Sequence, residues 1–250
     1  MKRFYQKRNK VLEQLTKIFK FQSNLDKFPF PVRILRSNRK SISLIIKEGS
    51  LLVRCPIFTR ESTILRVIKK KKNWIILNIE VQRNNSQNLK KYCDERIYLF
   101  LGEKKKLELR QEDLYLIKVT EKKIIFCGPD ISERNIKVKI VNWYKKIALD
   151  LIKKQTMIFS KKMSLKLNKI QIKDYRSKWG LCMSGKKEIF INWRLIMSPI
   201  SVLNYVVIHE LCHLIEPNHS KNFWFQVHKY KPNYKDDKKW LSKNGYLLFF

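Results

Sequence analysis

Apolar and polar positions alternate in short runs from about Val32 to Val119, the texture of β-strands joined by polar turns. SISLII (41–46) and LLVR (51–54) flank KEGS, a hairpin signal with a glycine at its turn. IYLFLGEKKKLELR (97–110) and LYLIKV (114–119) predict further short strands. The run WIILNIEV (74–81) fits strand or helix, because so short an apolar run has no period that separates them. Ahead of this region, residues 1–30 predict a basic helical extension that ends where two prolines interrupt FPFPV.

The texture changes near Gly128-Pro129. Asp130 with Glu133 three residues on resembles a capping box, and Ile140, Trp143, Ile147 and Leu151 then recur at helical spacing. Residues 165–175 and 188–193 predict strands, joined by RSKWGLCMSGKK as an irregular or edge element. Ser198-Pro199 predicts the start of a helix, with Ser198 as N-cap, running to about Ile215 and stopped by Glu216-Pro217-Asn218. Further helices are expected at 220–230 and near 236–243. The pattern divides the chain into a basic extension (1–30), a β-rich region (31–128) and a C-terminal domain (129–250).

Composition changes this picture in two ways. The net charge of +34 raises weak attraction to nucleic acid or anionic lipid as a property of the chain. Yet 41 of the 55 basic residues are lysines, spread over much of the chain and not alternating with aromatics, so drift and solvated faces outweigh a dedicated nucleic-acid surface. The five cysteines form no CxxC pair and are odd in number, which suits a reducing compartment and a cytoplasmic protein. No apolar signal core follows the basic N-terminus. The least charged segment, 195–215, contains Pro199, Asn204, His209, Glu210 and His213, too costly in lipid for a transmembrane helix.

That same segment carries the chemistry. No Lys or Arg occurs in the 26 residues between Arg194 and Lys221, while three of the four histidines fall there. In HELCH, His209 and His213 lie one helical turn apart on one face, a spacing suited to two imidazoles on one metal. Glu210 projects about 100° round the helix, beside the metal without binding it, which is where the zinc-peptidase signature places the group that polarises a metal-bound water. With four His and 13 Glu, chance yields about 0.003 such motifs in this chain. His219 follows His213 by six residues, the spacing at which a chain leaving the helix turns back with a third nitrogen; Asn218 tolerates the left-handed conformation such a turn uses. Glu210 is the only charged residue from Leu195 to Ile215, and a buried carboxylate needs a partner. Cys212 is expected in the core, Glu216 in the turn or beside the metal, and His228 in packing or at the surface.

YRSKWGLCMSGKKEIFINWRLIMSPISVLNYVVIHELCHLIEPNHSKNFW, with PNYKDDKKWLSKNG after it, resembles the bacterial YgjP-like family of predicted metallohydrolases, relatives of the SprT-like zinc peptidases. RSNRKSISLIIKEGSLLVRCP and YLFLGEKKKLEL resemble that family's β-rich N-terminal region, so the likeness covers about 32–246. The resemblance implies an α+β fold with a zincin-like metallopeptidase domain built on an HExxH helix. It further implies zinc (Zn2+) as cofactor, His209, His213 and His219 as ligands, and Glu210 as catalytic base. A peptide or protein substrate follows, bound as an added strand along a sheet edge within 176–193, with Asn192 or Arg194 as polar contacts. Nucleoside triphosphate hydrolysis and a nucleic-acid-associated module with a non-catalytic metal site are the alternatives. One departure stands out: the family has Ser where this chain has Leu181.

Overall fold

The computed structural model describes residues 21–249. The chain forms two compact units, divided between Asn88 and Leu89. Most of the extension expected at 1–30 lies outside the described residues; 21–25 are helical.

In the first unit, β1 (Val32–Ser37), β2 (Ser43–Lys47) and β3 (Ser50–Pro56) form a sheet in the order β1-β3-β2. β2 and β3 are the antiparallel hairpin that KEGS predicts, whereas β1 runs parallel to β3. Helices α1 (Glu61–Lys70) and α2 (Lys72–Asp94) follow. Leu51, Val53 and Cys55 on alternate positions of β3 meet Ile64 and Ile68 of α1 and Ile75 and Ile79 of α2. The pairs spaced by four place one isoleucine above another on a single helix face. WIILNIEV is therefore helical, and 61–94 departs from the strand texture expected there. The isoleucines mimic a strand locally, but only the 75/79 pair is buried, and the polar run 82–91 continues the same helix.

The second unit holds β4 (Ile97–Phe100), β5 (Glu103–Gln111), β6 (Leu116–Val119) and β7 (Lys123–Gly128) in the order β4-β5-β7-β6. Helix α3 (Glu133–Lys162) buries Ile136, Ile140, Tyr144, Ala148, Ile152 and Thr156, a line of residues four apart. Trp143, Ile147 and Leu151 flank that line half-buried, and Trp143 stacks on Phe100 at 5.4 Å. Ser132 is the N-cap of α3; Asp130 instead accepts the Ser132 N–H at 2.8 Å in a turn before it, so no capping box forms. A second sheet, β8 (Lys169–Lys173), β9 (Gly180–Met183) and β10 (Glu188–Asn192), has the order β8-β10-β9 and leaves β9 at an edge. A 3-10 turn over Trp193–Met197 leads into helix α4 (Ile200–Cys212), with α5 (Lys221–Tyr230) and α6 (Tyr234–Asn244) after it.

One hydrophobic core runs through this unit, from Leu99, Leu107, Ile124 and Phe126 of the first sheet to Leu203, Val207 and Leu211 of α4. It crosses the position 128/129 at which the sequence pattern divides. Tyr144 donates its hydroxyl to the Leu99 carbonyl at 2.6 Å, and the backbone N–H groups of Leu101 and Gly102 donate to Ile196 and Met197 at 2.9 and 3.1 Å. The β4–β5 turn is thereby fastened to the chain just ahead of α4. Gly102 has φ +87°, and a Cβ there would stand 2.7 Å from Pro199 Cγ. Among the described residues no helix is long and apolar enough to cross a membrane, and none of the five cysteines is in a disulfide.

Gly102→Ala adds both a disfavoured backbone conformation and a clash, and we expect a loss of about 1–3 kcal/mol. In urea unfolding the midpoint falls while the slope is retained; an unchanged midpoint would show that the β4–β5 turn does not brace α4.

Candidate metal centre

Helix α4 is buried on nearly every side: Val202, Leu203, Tyr205, Val206, Val207, Ile208, Leu211 and Cys212 are all in the interior. A helix so enclosed has no solvated face on which to carry lysines, which accounts for the gap in positive charge. It starts one residue later than the sequence suggests, with Pro199 as N-cap, because the Ser198 hydroxyl donates to the Leu195 carbonyl at 2.7 Å. It also ends earlier, at Cys212, with His213 at the C-cap. The N–H groups of Leu214 and Ile215 tighten onto Leu211 and Cys212, each at 3.0 Å, and satisfy carbonyls the helix leaves open.

The chain then returns, and the three imidazoles converge. One ligand-capable nitrogen from each of His209, His213 and His219 lies within 4.8 Å of the others, and His209 Nε2 and His219 Nε2 are 3.1 Å apart. The ring centroids are 4.7–5.0 Å apart. The return uses no left-handed residue, so Asn218 plays no such part. Ser220 instead caps α5 by accepting the Phe223 N–H at 3.2 Å. That cap seats the fully buried Phe223 ring 4.5–4.9 Å from all three imidazoles as the floor of the cluster.

The electrostatics favour neutral imidazoles at His209 and His213. Burial, followed by the charges of His213, His219 and Lys238, lowers the His209 pKa to about 3, and burial lowers that of His213 as well. His213 Nδ1 donates to the Glu216 carbonyl at 3.3 Å, which leaves the Nε2 lone pair for a ligand role. His209 Nδ1 is buried without a partner. Two imidazole nitrogens on one tetrahedral zinc stand about 3.4 Å apart, close to the separation here, so this donor set fits a divalent ion. Among the described residues it is the one cluster of His, Cys, Asp or Glu groups so placed.

Glu210 is 6% exposed and lies against β9. A Cβ on Gly180 would stand 2.4 Å from Glu210 Oε1 and 2.6 Å from its Cγ, so only glycine admits the carboxylate at this approach. Burial raises the Glu210 pKa to about 7, against the lowering influence of Lys178 and of the Cys182 N–H that donates to the carboxyl. Neither Gly180 nor the Cys182 N–H is legible as a partner of Glu210 in the sequence, where the segment shows as an irregular or edge element with two glycines.

Other expected residues fall elsewhere. Asn192 is buried, its amide donating to the Tyr175 and Lys178 carbonyls at 2.8 and 3.1 Å, and Arg194 pairs with Asp174 and lies over Trp193 and Phe249. Both therefore brace the sheet instead of presenting polar groups to a substrate. Cys212 is in the core with its thiol pushed up to about 12 by burial. Glu216 contributes its carbonyl, and His228 is exposed with Nδ1 3.2 Å from the Pro232 carbonyl.

A family model described as "YgjP-like, metallopeptidase domain" matches residues 40–244, most of the chain and all four of His209, Glu210, His213 and His219. The chain belongs to the YgjP-like family. Membership makes this YgjP-like chain a metallohydrolase at the level of the family and implies a divalent metal. Among solved structures, the metallopeptidase zymogen of Pyrococcus abyssi abylysin aligns with 37% of this chain and 93% of its own, at 18% identity and a TM-score of 0.34. No curated protein matches the sequence.

Replacing any of His209, His213 or His219 by Ala should weaken zinc binding by on the order of a hundredfold or more, since even outer-shell losses cost ten- to a hundredfold. Competition with a chromophoric chelator measures this; an unchanged affinity in one variant removes that residue from the ligand set.

Proposed function

We propose that the protein is a zinc-dependent peptidase in which His209, His213 and His219 hold the ion and Glu210 is the general base. The observation that carries this reading is a buried carboxylate, next to His209 in the chain and pressed against Gly180 of the edge strand β9, on the helix whose end brings three imidazoles together. A purely structural zinc site has no use for a base beside it.

When bound, the ion supplies Lewis-acid chemistry, acidifying a water and polarising a carbonyl. The remaining work belongs to the chain. His213, fixed by the Glu216 carbonyl, and His219, returned by the 213–220 segment, direct their lone pairs to the ion. Glu210 accepts the proton of the attacking water at a carboxylate oxygen and delivers it to the leaving amine. Its proton affinity near neutrality suits both transfers. The Cys182 N–H and the absent side chain at Gly180 hold that carboxylate in place.

β9 offers the substrate edge. Asn192 N–H donates to the Trp179 carbonyl at 2.8 Å, and the antiparallel register alternates from there, so the N–H groups of Gly180 and Cys182 turn away from β10, that of Cys182 to Glu210 and that of Gly180 to the edge. An extended peptide laid along β9 would bring its carbonyl past Glu210. Leu181, where the family has Ser, pairs with Phe190 on the β10 side of that strand, leaving the backbone edge unaltered. The five unpaired cysteines support a cytoplasmic location.

Glu210→Gln should bind about one zinc, as wild type does, and lose turnover on peptides. Metal content and peptide hydrolysis measured together test this; equal turnover removes Glu210 as base, and turnover of nucleoside triphosphates in place of peptides overturns the peptidase reading. Gly180→Ala displaces the carboxylate and should lower kcat roughly a hundredfold with zinc content retained; an unaltered kcat would show that the close approach at Gly180 does not position the base.

A further inference from the structure

The charge around the centre is arranged unlike that of the chain as a whole. Lysines are dense elsewhere but absent from 195–220, so any lysine that faces the centre reaches it from another element. Two do so, Lys178 from the segment ahead of β9 and Lys238 from α6. Lys178 lies two residues before Gly180, with its carbonyl held by the Asn192 amide and its ammonium 5.4 Å from the Tyr175 ring. Its charge favours the ionised Glu210 carboxyl.

Lys238 comes from α6. Its ammonium stands 4.6 Å from the Trp224 ring centre. Trp224 in turn stacks on His219 at 5.8 Å and on Tyr234 at 5.3 Å, and lies 5.9 Å from His209. Tyr234 and Lys238 are one turn apart on α6, so the same helix face presents the ring and the ammonium to Trp224. Neither Lys178 nor Lys238 has a carboxylate within ion-pair distance among the described residues. The nearby Asp237 is already engaged by Lys231 at 3.1 Å and by the Ser201 hydroxyl at 2.6 Å.

From this geometry we propose that the centre selects peptides carrying carboxylates next to the cleaved bond, which Lys178 and Lys238 receive. The proposal rests on the peptidase reading and names its substrate class. The aromatic wall of Trp224 and Tyr234 restrains the Lys238 stem and supplies an apolar surface beside the cation, so the carboxylate is met by a positioned charge. The carboxylate belongs to an acidic side chain or to the peptide's own C-terminus.

The test is equilibrium binding to the zinc-loaded Glu210→Gln protein, read by fluorescence anisotropy with labelled decapeptides that differ only in two central residues, Glu or Gln. The Glu peptide should bind about fivefold to tenfold more tightly at about 0.05 M salt, from two exposed ion pairs, and the gap should shrink at about 0.5 M. Adding Lys178→Gln and Lys238→Gln closes the gap, while the remote pair Lys104→Gln and Lys122→Gln leaves it. A gap that survives the first pair of changes, or equal binding of both peptides that amidation leaves unaltered, overturns the proposal and leaves the peptidase reading standing. Failure of every peptide to bind counts against both. C-terminal amidation tells the two sources apart: a gap kept after amidation assigns the side chain. Tighter binding of the Gln peptide with its free C-terminus than after amidation, lost in the Lys178/Lys238 variant, assigns the chain end.

Discussion

The constraint on which the site depends is a carboxylate buried to 6% exposure. Glu210 is the sole charged residue on a helix otherwise packed with aliphatic side chains, and nothing in that interior compensates an ionised group cheaply. The fold answers with one donor, the Cys182 N–H, and with space, the missing side chain of Gly180. A carboxyl that keeps its proton affinity near neutrality while touching an open strand edge is suited to moving protons. A carboxylate with a stronger partner, such as Asp174 beside Arg194, has its pKa lowered and is suited to holding structure.

Everything around α4 serves to keep that helix straight in its slot. The first sheet of the C-terminal unit braces the chain ahead of it through Leu101 and Gly102, α3 supplies a continuous buried stripe, and Phe223 closes the floor beneath the imidazoles. His219 is exposed, and its position follows from the Ser220 cap that starts α5. The cluster is thus preorganised by packing and capping, which is what a site must have if its ligands are to meet an ion without rearranging.

Legibility differed by the kind of interaction involved. The hairpin at 43–56, the helices near 133–162, 221–230 and 234–244, and the edge character of 180–183 follow from local periodicity and turn chemistry. The helix over 72–94 did not, because isoleucine-rich runs satisfy either period until the partner surface is known. Asn192 and Arg194 looked like substrate contacts because they are polar and near the motif; their partners, Tyr175, Lys178 and Asp174, are only apparent once the sheet is folded. The break expected at 128/129 reflects a change in element type, whereas the core runs through it from Phe126 to Leu211.

The sequence by itself determined which three imidazoles could converge and which single carboxylate shares their helix. HELCH and His219 select their chemistry through spacing along one helix and one return turn, and helical geometry converts that spacing into direction whatever surrounds it. Only the tertiary structure decided what stands opposite. Gly180, the Cys182 N–H, Phe223, Lys178 and Lys238 reach the centre from segments whose distance in sequence from the motif carries no information about contact. Their placement comes from sheet register and helix packing, which are properties of the whole unit and not of any stretch of residues.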